Sequence, residues 1–266
     1  MSTSANRLHA CLTALGYAVL IACASKPAIN DFAPTRPQQT AQPTEAAKYN
    51  VQLGVAYMER GELAVAKEKL ERAVKQNPHD PNAHSALAML YERLGDPSQA
   101  DAQFQTALRL APHSPEISNN YAVYLCRTHR VDEGVRRLLE AARNPLYPTP
   151  EAAYTNAGVC LRGVHRDDEA ERAFVSAVTL RPGFAEAVYQ LSDLDMQHGR
   201  LVQARARIDS YIANYTATPE LLLLGVHVAH ALGDRPSELR YAQRLRVDFP
   251  DSQQTRSLLA PNPNPG

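Results

Sequence analysis

The chain has 266 residues and a balanced charge, 28 lysines and arginines against 28 aspartates and glutamates. That balance leaves no basic footprint for nucleic acid or for an anionic membrane surface. The absence of tryptophan and the presence of only five phenylalanines argue for an interior built by close packing of alanine and leucine.

The first predicted element covers residues 1–22. Arg7 is its only charge, and an apolar run from Ala10 to Ala22 follows. Such a run is too short to cross a hydrocarbon layer of roughly 30 Å as a helix, and it suits the apolar region of a secretory signal peptide. It ends in Leu20-Ile21-Ala22-Cys23, which resembles a bacterial lipobox, so cleavage is expected before Cys23 with acylation of that cysteine. Several acyl chains on one residue anchor a protein stably, where a single chain binds reversibly. The alternative is a plain signal peptide cut between Ala22 and Ser25. Ala24 stands where an aspartate would favour retention at the inner membrane, so the expected destination is the outer membrane of a Gram-negative bacterium. Residues 23–46 carry Pro27, Pro34, Pro37 and Pro43 among threonine, glutamine and alanine. That composition predicts a flexible tether.

From Ala47 the sequence echoes itself. Leu53, Gly54, Tyr57, Ala66, Leu70, Ala73 and Pro78 return 34 positions later as Leu87, Ala88, Tyr91, Ala100, Phe104, Ala107 and Pro112. This period and pattern belong to the tetratricopeptide repeat, a pair of antiparallel helices that stacks on its neighbour because it cannot bury its apolar face alone. Further copies show Ala122, Leu125, Leu138 and Ala141, then Gly158, Leu161, Ala170, Phe174, Ala177 and Pro182. Leu191, Gly199, Ala204 and Ile208, and then Gly225, Ala229, Gly233 and Pro250, mark two more. The prediction is an all-α right-handed solenoid of six repeats over 47–250, starting near residues 47, 81, 115, 151, 185 and 219. A small residue at the eighth position lets the two helices cross closely, and a closing proline stops the second helix. The fourth repeat starts 36 residues after the third, with the extra length in Asn144-Pro145-Leu146-Tyr147-Pro148. This turn is expected to bulge and loosen the stack. Residues 251–266 offer Ser257-Leu258-Leu259 as a short cap before a proline-rich tail expected to fray.

Of four cysteines, Cys11 leaves with the signal peptide and Cys23 takes lipid. Cys126 and Cys160 remain, on the first helices of neighbouring repeats, in a chain bound for a compartment where disulfides persist. Either they form a bridge across the third and fourth repeats, or they stay as two buried thiols. His165-Arg166-Asp167-Asp168-Glu169 has the look of an acid/base or metal cluster, but His129-Arg130-Val131-Asp132-Glu133 matches it one repeat earlier. Both fall in the turn between the helices of a pair, where aspartate is expected to cap a helix start and glutamate to favour its dipole. No phosphate loop, nucleophile elbow or zinc-protease motif is present. The reading is therefore a binding protein and not an enzyme, with no cofactor and no metal.

First helices line the concave face of such a stack. Gln52, Asn120 and Asn156 share one position there, Asn119 precedes Asn120, and an amide can pair with a peptide N–H and C=O together. Val51, Val55, Met58 and Met89 add an apolar stretch, so these residues form the candidate partner groove. The basic pair that clamps a terminal carboxylate in co-chaperone repeats is missing, with Asn82 and Ala86 in its place.

The lipobox, six repeats, Asn119-Asn120-Tyr121-Ala122, Leu138-Leu139-Glu140-Ala141, Leu146-Tyr147-Pro148, Asn156-Ala157-Gly158 and Leu222-Leu223-Leu224-Gly225 together resemble the type IV pilus pilotins of the PilF/PilW family. The resemblance implies an outer-membrane lipoprotein, facing the periplasm, that helps the pilus secretin reach its membrane and assemble or persist there. Its implied partners are the secretin subunit, the lipoprotein export machinery and, through the lipid, the membrane. Some relatives carry a disulfide in this region. Asp195 departs from the pattern by replacing an aromatic or apolar residue in the fifth repeat. The alternative function is a general periplasmic scaffold for another outer-membrane or cell-wall assembly.

Overall fold

A computed structural model describes residues 43–259, which contain thirteen helices and, among the described residues, no strand. Six pairs follow one another: α1 (Pro43–Glu59) with α2 (Leu63–Gln76), α3 (Pro81–Arg93) with α4 (Pro97–Leu110), and α5 (Pro115–Arg127) with α6 (Val131–Arg143). Then come α7 (Pro150–Arg162) with α8 (Asp167–Leu180), α9 (Ala185–Gln197) with α10 (Leu201–Asn214), and α11 (Pro219–Ala231) with α12 (Arg235–Asp248). A short α13 (Gln253–Leu259) closes the series. The chain is all-α.

Local chemistry sets the helix ends. Proline occupies the first turn of α3, α4, α5, α7, α11 and α12, where its missing N–H has no partner to lose and its fixed φ suits the helix. Asp80, Asp96, Ser114, Thr218 and Asp234 accept a backbone N–H from the turn they precede, satisfying donors that the helix cannot. Within each pair the chain reverses through one left-handed residue. Gly61, Gly95, Gly199 and Gly233 fill that place in four repeats, His129 (φ 64°) and His165 (φ 59°) in the other two.

The residues of the 34-residue echo form the interior. Ala66, Leu70, Ala73, Ala100, Phe104, Ala107, Ala170, Phe174 and Ala177 are fully buried. The small eighth residue is required by space: a Cβ on Gly54 would stand 2.5 Å from Leu70 Cγ, and one on Gly158 2.6 Å from Phe174 Cδ1.

Four expectations need correction. First, α1 begins at Pro43, inside the segment assigned to the tether; proline suits a first helical turn, Glu45 favours its dipole, and Lys48 pairs with Glu45 at 2.9 Å. The fourth pair likewise opens at Pro150, one residue early. Second, the long connection after α6 does not loosen the stack. Tyr147 turns inward, 7 % exposed, against Ala141, Ala142 and Ala153, while Leu146 points to solvent. Third, Asp132 and Asp167 do not cap. Arg130 and Arg166 hold the cap positions without a side-chain cap bond. Arg130 pairs with Glu133 at 2.7 Å, and Arg166 with Glu169 at 2.7 Å and Asp132 at 2.6 Å. Fourth, Asp195 does not disturb the fifth repeat. Its carboxylate, 1 % exposed, receives Arg200 Nε at 2.7 Å and Arg207 Nη2 at 2.9 Å, so a buried charge is held by two opposite ones. In the cap, Leu258 packs on the last repeat, and Thr255 is buried with its hydroxyl 2.7 Å from the Phe249 carbonyl; Leu259 stays exposed. The expected signal peptide, Cys11, Cys23, most of the expected tether and the final residues lie outside the described region.

Candidate functional site

First helices from four successive repeats lie side by side, and α1, α3, α5 and α7 enclose a cavity of about 270 Å³. Met58, Met89 and Val123 border it as an apolar floor; Met58 belongs to the core of the first two repeats and Met89 packs against that core, while methionine adapts to varied partners. Asn119, Asn120 and Asn156 line the same space, as do Glu92, Arg93 and Arg127. A second hollow of about 260 Å³ shares Val123, Arg127 and Asn156 and continues the trough to Val159, Cys160 and Gly163.

The amides form rungs between helices. Asn156 Nδ2 donates to Asn119 Oδ1 at 3.1 Å, and Asn120 Nδ2 donates weakly to Ser85 Oγ at 3.4 Å. Each rung holds a side chain upright and leaves the Asn120 and Asn156 carbonyl oxygens to a ligand. The arginines act differently. Arg93 Nη1 donates to the Met58 carbonyl at 2.6 Å, tying α3 to α1, and Arg127 reaches Glu92 at 3.2 Å while remaining 67 % exposed. That exposure leaves most of its guanidinium available to an acceptor.

Five of the eight predicted groove residues, Met58, Met89, Asn119, Asn120 and Asn156, share the cavity. Val51 and Val55 pack against the core of the first two repeats, and Gln52 is exposed on α1 away from the cavity lining. Sequence reasoning missed Val123, Glu92, Arg93 and Arg127. A signal for the arginines existed, because Arg93, Arg127 and Arg162 end successive first helices at repeat spacing. Arg162 binds Asp193 at 2.7 Å and Gln190 at 2.6 Å, continuing the inter-repeat ties.

Cys126 and Cys160 are joined as a disulfide between α5 and α7, with Cα atoms 5.7 Å apart, beside the second hollow. No group of three or more histidine, cysteine, aspartate or glutamate side chains able to hold a metal occurs among the described residues. His129 and His165 sit in the left-handed turns described above; of the carboxylates after them, Asp132, Glu133 and Glu169 are engaged by arginine and Asp167 lies 3.2 Å from His198 Nε2. The arrangement supports binding of an extended segment through an apolar floor, amide rungs and one open guanidinium.

Residues 51–115 and 85–152 match the tetratricopeptide repeat family. The type IV pilus assembly protein PilF of Pseudomonas aeruginosa is 28 % identical over 216 residues, 81 % of this chain and 86 % of that protein. The solved structure of Pseudomonas aeruginosa PilF covers 81 % of this chain and 97 % of its own, with 27 % identity and a TM-score of 0.63. That of PilW, a type IV pilus biogenesis factor, covers 80 % and 98 %, with 29 % identity and a TM-score of 0.64.

Proposed function

We propose that this chain, a tetratricopeptide-repeat protein of the type IV pilus biogenesis family, works as a pilotin. It is an outer-membrane lipoprotein, anchored through Cys23, that captures a segment of the pilus secretin and promotes its delivery to the outer membrane and its multimer assembly. The observation that carries this reading is the trough of Met58, Met89, Val123, Asn119, Asn120 and Asn156 in a chain similar to PilF over four-fifths of its length. A groove with an apolar floor and amide rungs binds a polypeptide and offers no chemistry on it, so the role is that of a carrier. Acyl chains on Cys23 engage the lipoprotein export machinery, and the secretin subunit travels with them.

Deletion of the gene tests this directly. Secretin monomers should persist while heat-resistant multimers fall or collect in the wrong membrane, with loss of surface pili and twitching. Cys23→Ser should abolish palmitate labelling and release the protein from the outer-membrane fraction. Asn120→Ala combined with Asn156→Ala should weaken secretin capture roughly ten- to thirtyfold, as expected for two hydrogen bonds of about 1 kcal/mol each, with little change in melting temperature. Normal amount and location of secretin multimers in the deletion strain would replace the pilotin with a general scaffold for another envelope assembly.

A further inference from the structure

The second helices carry a cavity that shares no residue with the groove. It lies between α4 and α6, measures about 640 Å³, and sets Arg109, Arg130, Arg137 and Glu133 around Leu108 and Tyr121. Three guanidiniums therefore face two carboxylates, Glu133 of the lining and Asp101 behind Arg130, in a chain whose total charge is zero. Arg130 is engaged at both terminal nitrogens, to Asp101 at 3.0 Å and to Glu133 at 2.7 Å. The other two are open. Arg137 donates only Nε, to Glu133 at 3.2 Å, and its guanidinium carbon stands 5.2 Å from the Tyr121 ring centre. Arg109 makes one hydrogen bond, 2.8 Å to Thr106 a turn back on its own helix.

Burial pushes the Glu133 carboxyl up, but hydrogen bonds from Arg130 and Arg137 outweigh it and hold the group below its ordinary range. Glu133 thus stays an anion at neutral pH and orients Arg137 by its Nε. Open donors from two successive repeats then border an apolar floor of Leu108 and Pro112, while the buried Tyr121 ring is already covered by Arg130 and Arg137. Guanidinium forks match carboxylates geometrically. The volume far exceeds what one small oxyanion fills, given about 30 Å³ for a water molecule. A chain segment fits it better.

We propose that this cavity is a second binding site, for an acidic polypeptide segment whose carboxylates take Arg109 and Arg137 while an adjacent apolar side chain lies on Leu108 and Pro112. The site rests on charge complementarity and stands apart from the pilotin reading. Anisotropy of a short fluorescein-labelled peptide of glutamate and phenylalanine, titrated with the full chain in detergent, tests it. Saturable binding is expected, weakened at least about tenfold by Arg109→Glu, weakened also by Arg137→Gln, partly restored by Arg137→Lys, and reduced by salt. Asn120→Ala with Asn156→Ala should leave it unchanged, as should competition by inorganic phosphate at equal concentration. Arg109 is exposed and tied only to its own helix, so Arg109→Glu keeps the test valid where an Arg137 variant melts early. Three outcomes overturn the proposal: no saturable binding, equal affinity in wild type and Arg109→Glu, or equal affinity for the peptide with lysine in place of glutamate. Binding of phosphatidylglycerol vesicles without binding of the peptide overturns it too, by making the site a membrane contact.

Discussion

Gly158 decides how closely α7 approaches α8, because the Phe174 ring occupies the space a side chain would need. Phe174 is fully buried, so it has little room to move aside. Gly158→Ala should therefore destabilise the protein by roughly 1–3 kcal/mol, the usual cost of overpacking, despite alanine's better helix propensity. Denaturant unfolding measures this; an unchanged midpoint would show that the fourth pair can spread without penalty. His165 presents the opposite case. It holds φ 59° where four other repeats use glycine, and a Cβ in the left-handed region costs about 1 kcal/mol. His165→Gly should raise stability by about 0.5–1 kcal/mol, and a loss instead would mean that the imidazole makes a stabilising contact. Asp195 completes the contrast, since a charged residue is tolerated at an apolar position only because two arginines reach it. Without them its desolvation would be uncompensated.

The junction between the third and fourth pairs joins local and distant constraints. Two residues more than the repeat period would disturb the register, yet Tyr147 folds into the gap and the Cys126–Cys160 bridge ties α5 to α7. Burial pushes the Tyr147 phenol above its ordinary range, in keeping with its place among alanines. A bridge closing a loop of 34 residues should stabilise by about 2–4 kcal/mol. Cys126→Ala with Cys160→Ala should lower the midpoint by that amount, and hydrogen exchange should quicken most in α5 to α8. Thiol titration of unfolded, unreduced protein should find neither of these two cysteines free; a free thiol at both Cys126 and Cys160 would sink the bridge.

A stack of repeats is held by contacts between neighbours, so its ends behave differently from its middle. At the start of the stack Tyr49 is 62 % and Leu53 45 % exposed, whereas their counterparts one repeat later, Ala83 and Leu87, are buried. At the other end α13 covers the last pair through Leu258 and Thr255. Terminating the chain after Ser252 should cost about 1–2 kcal/mol from lost apolar burial and a lost hydrogen bond. The effect should be confined to α11 and α12 in hydrogen exchange, with α1 and α2 unchanged. Uniform acceleration along the stack would instead mean that it unfolds as one cooperative block.

The helix pairs, their order and most of their buried residues were readable from the amino-acid sequence, because each pair repeats the same short-range pattern and six copies average out the exceptions. Ala66, Leu70, Phe104 and Phe174 are interior for the reason their spacing predicts. The start of α1 was misplaced because prolines in a polar segment read as tether, although a proline also opens a helix well. The groove was legible in half. Met58, Met89 and the three asparagines share one cavity, with Met58 also in the core against which Met89, Val51 and Val55 pack, and Arg93 and Arg127 join unforeseen. Those outcomes depend on which way side chains lean across helices 34 residues apart in sequence, and a one-dimensional period carries no information about that lean. The same holds for Tyr147, for the arginines that neutralise Asp195, and for the guanidiniums gathered over Tyr121. Each is settled by packing between repeats, where burial penalises an unpaired charge and empty space alike.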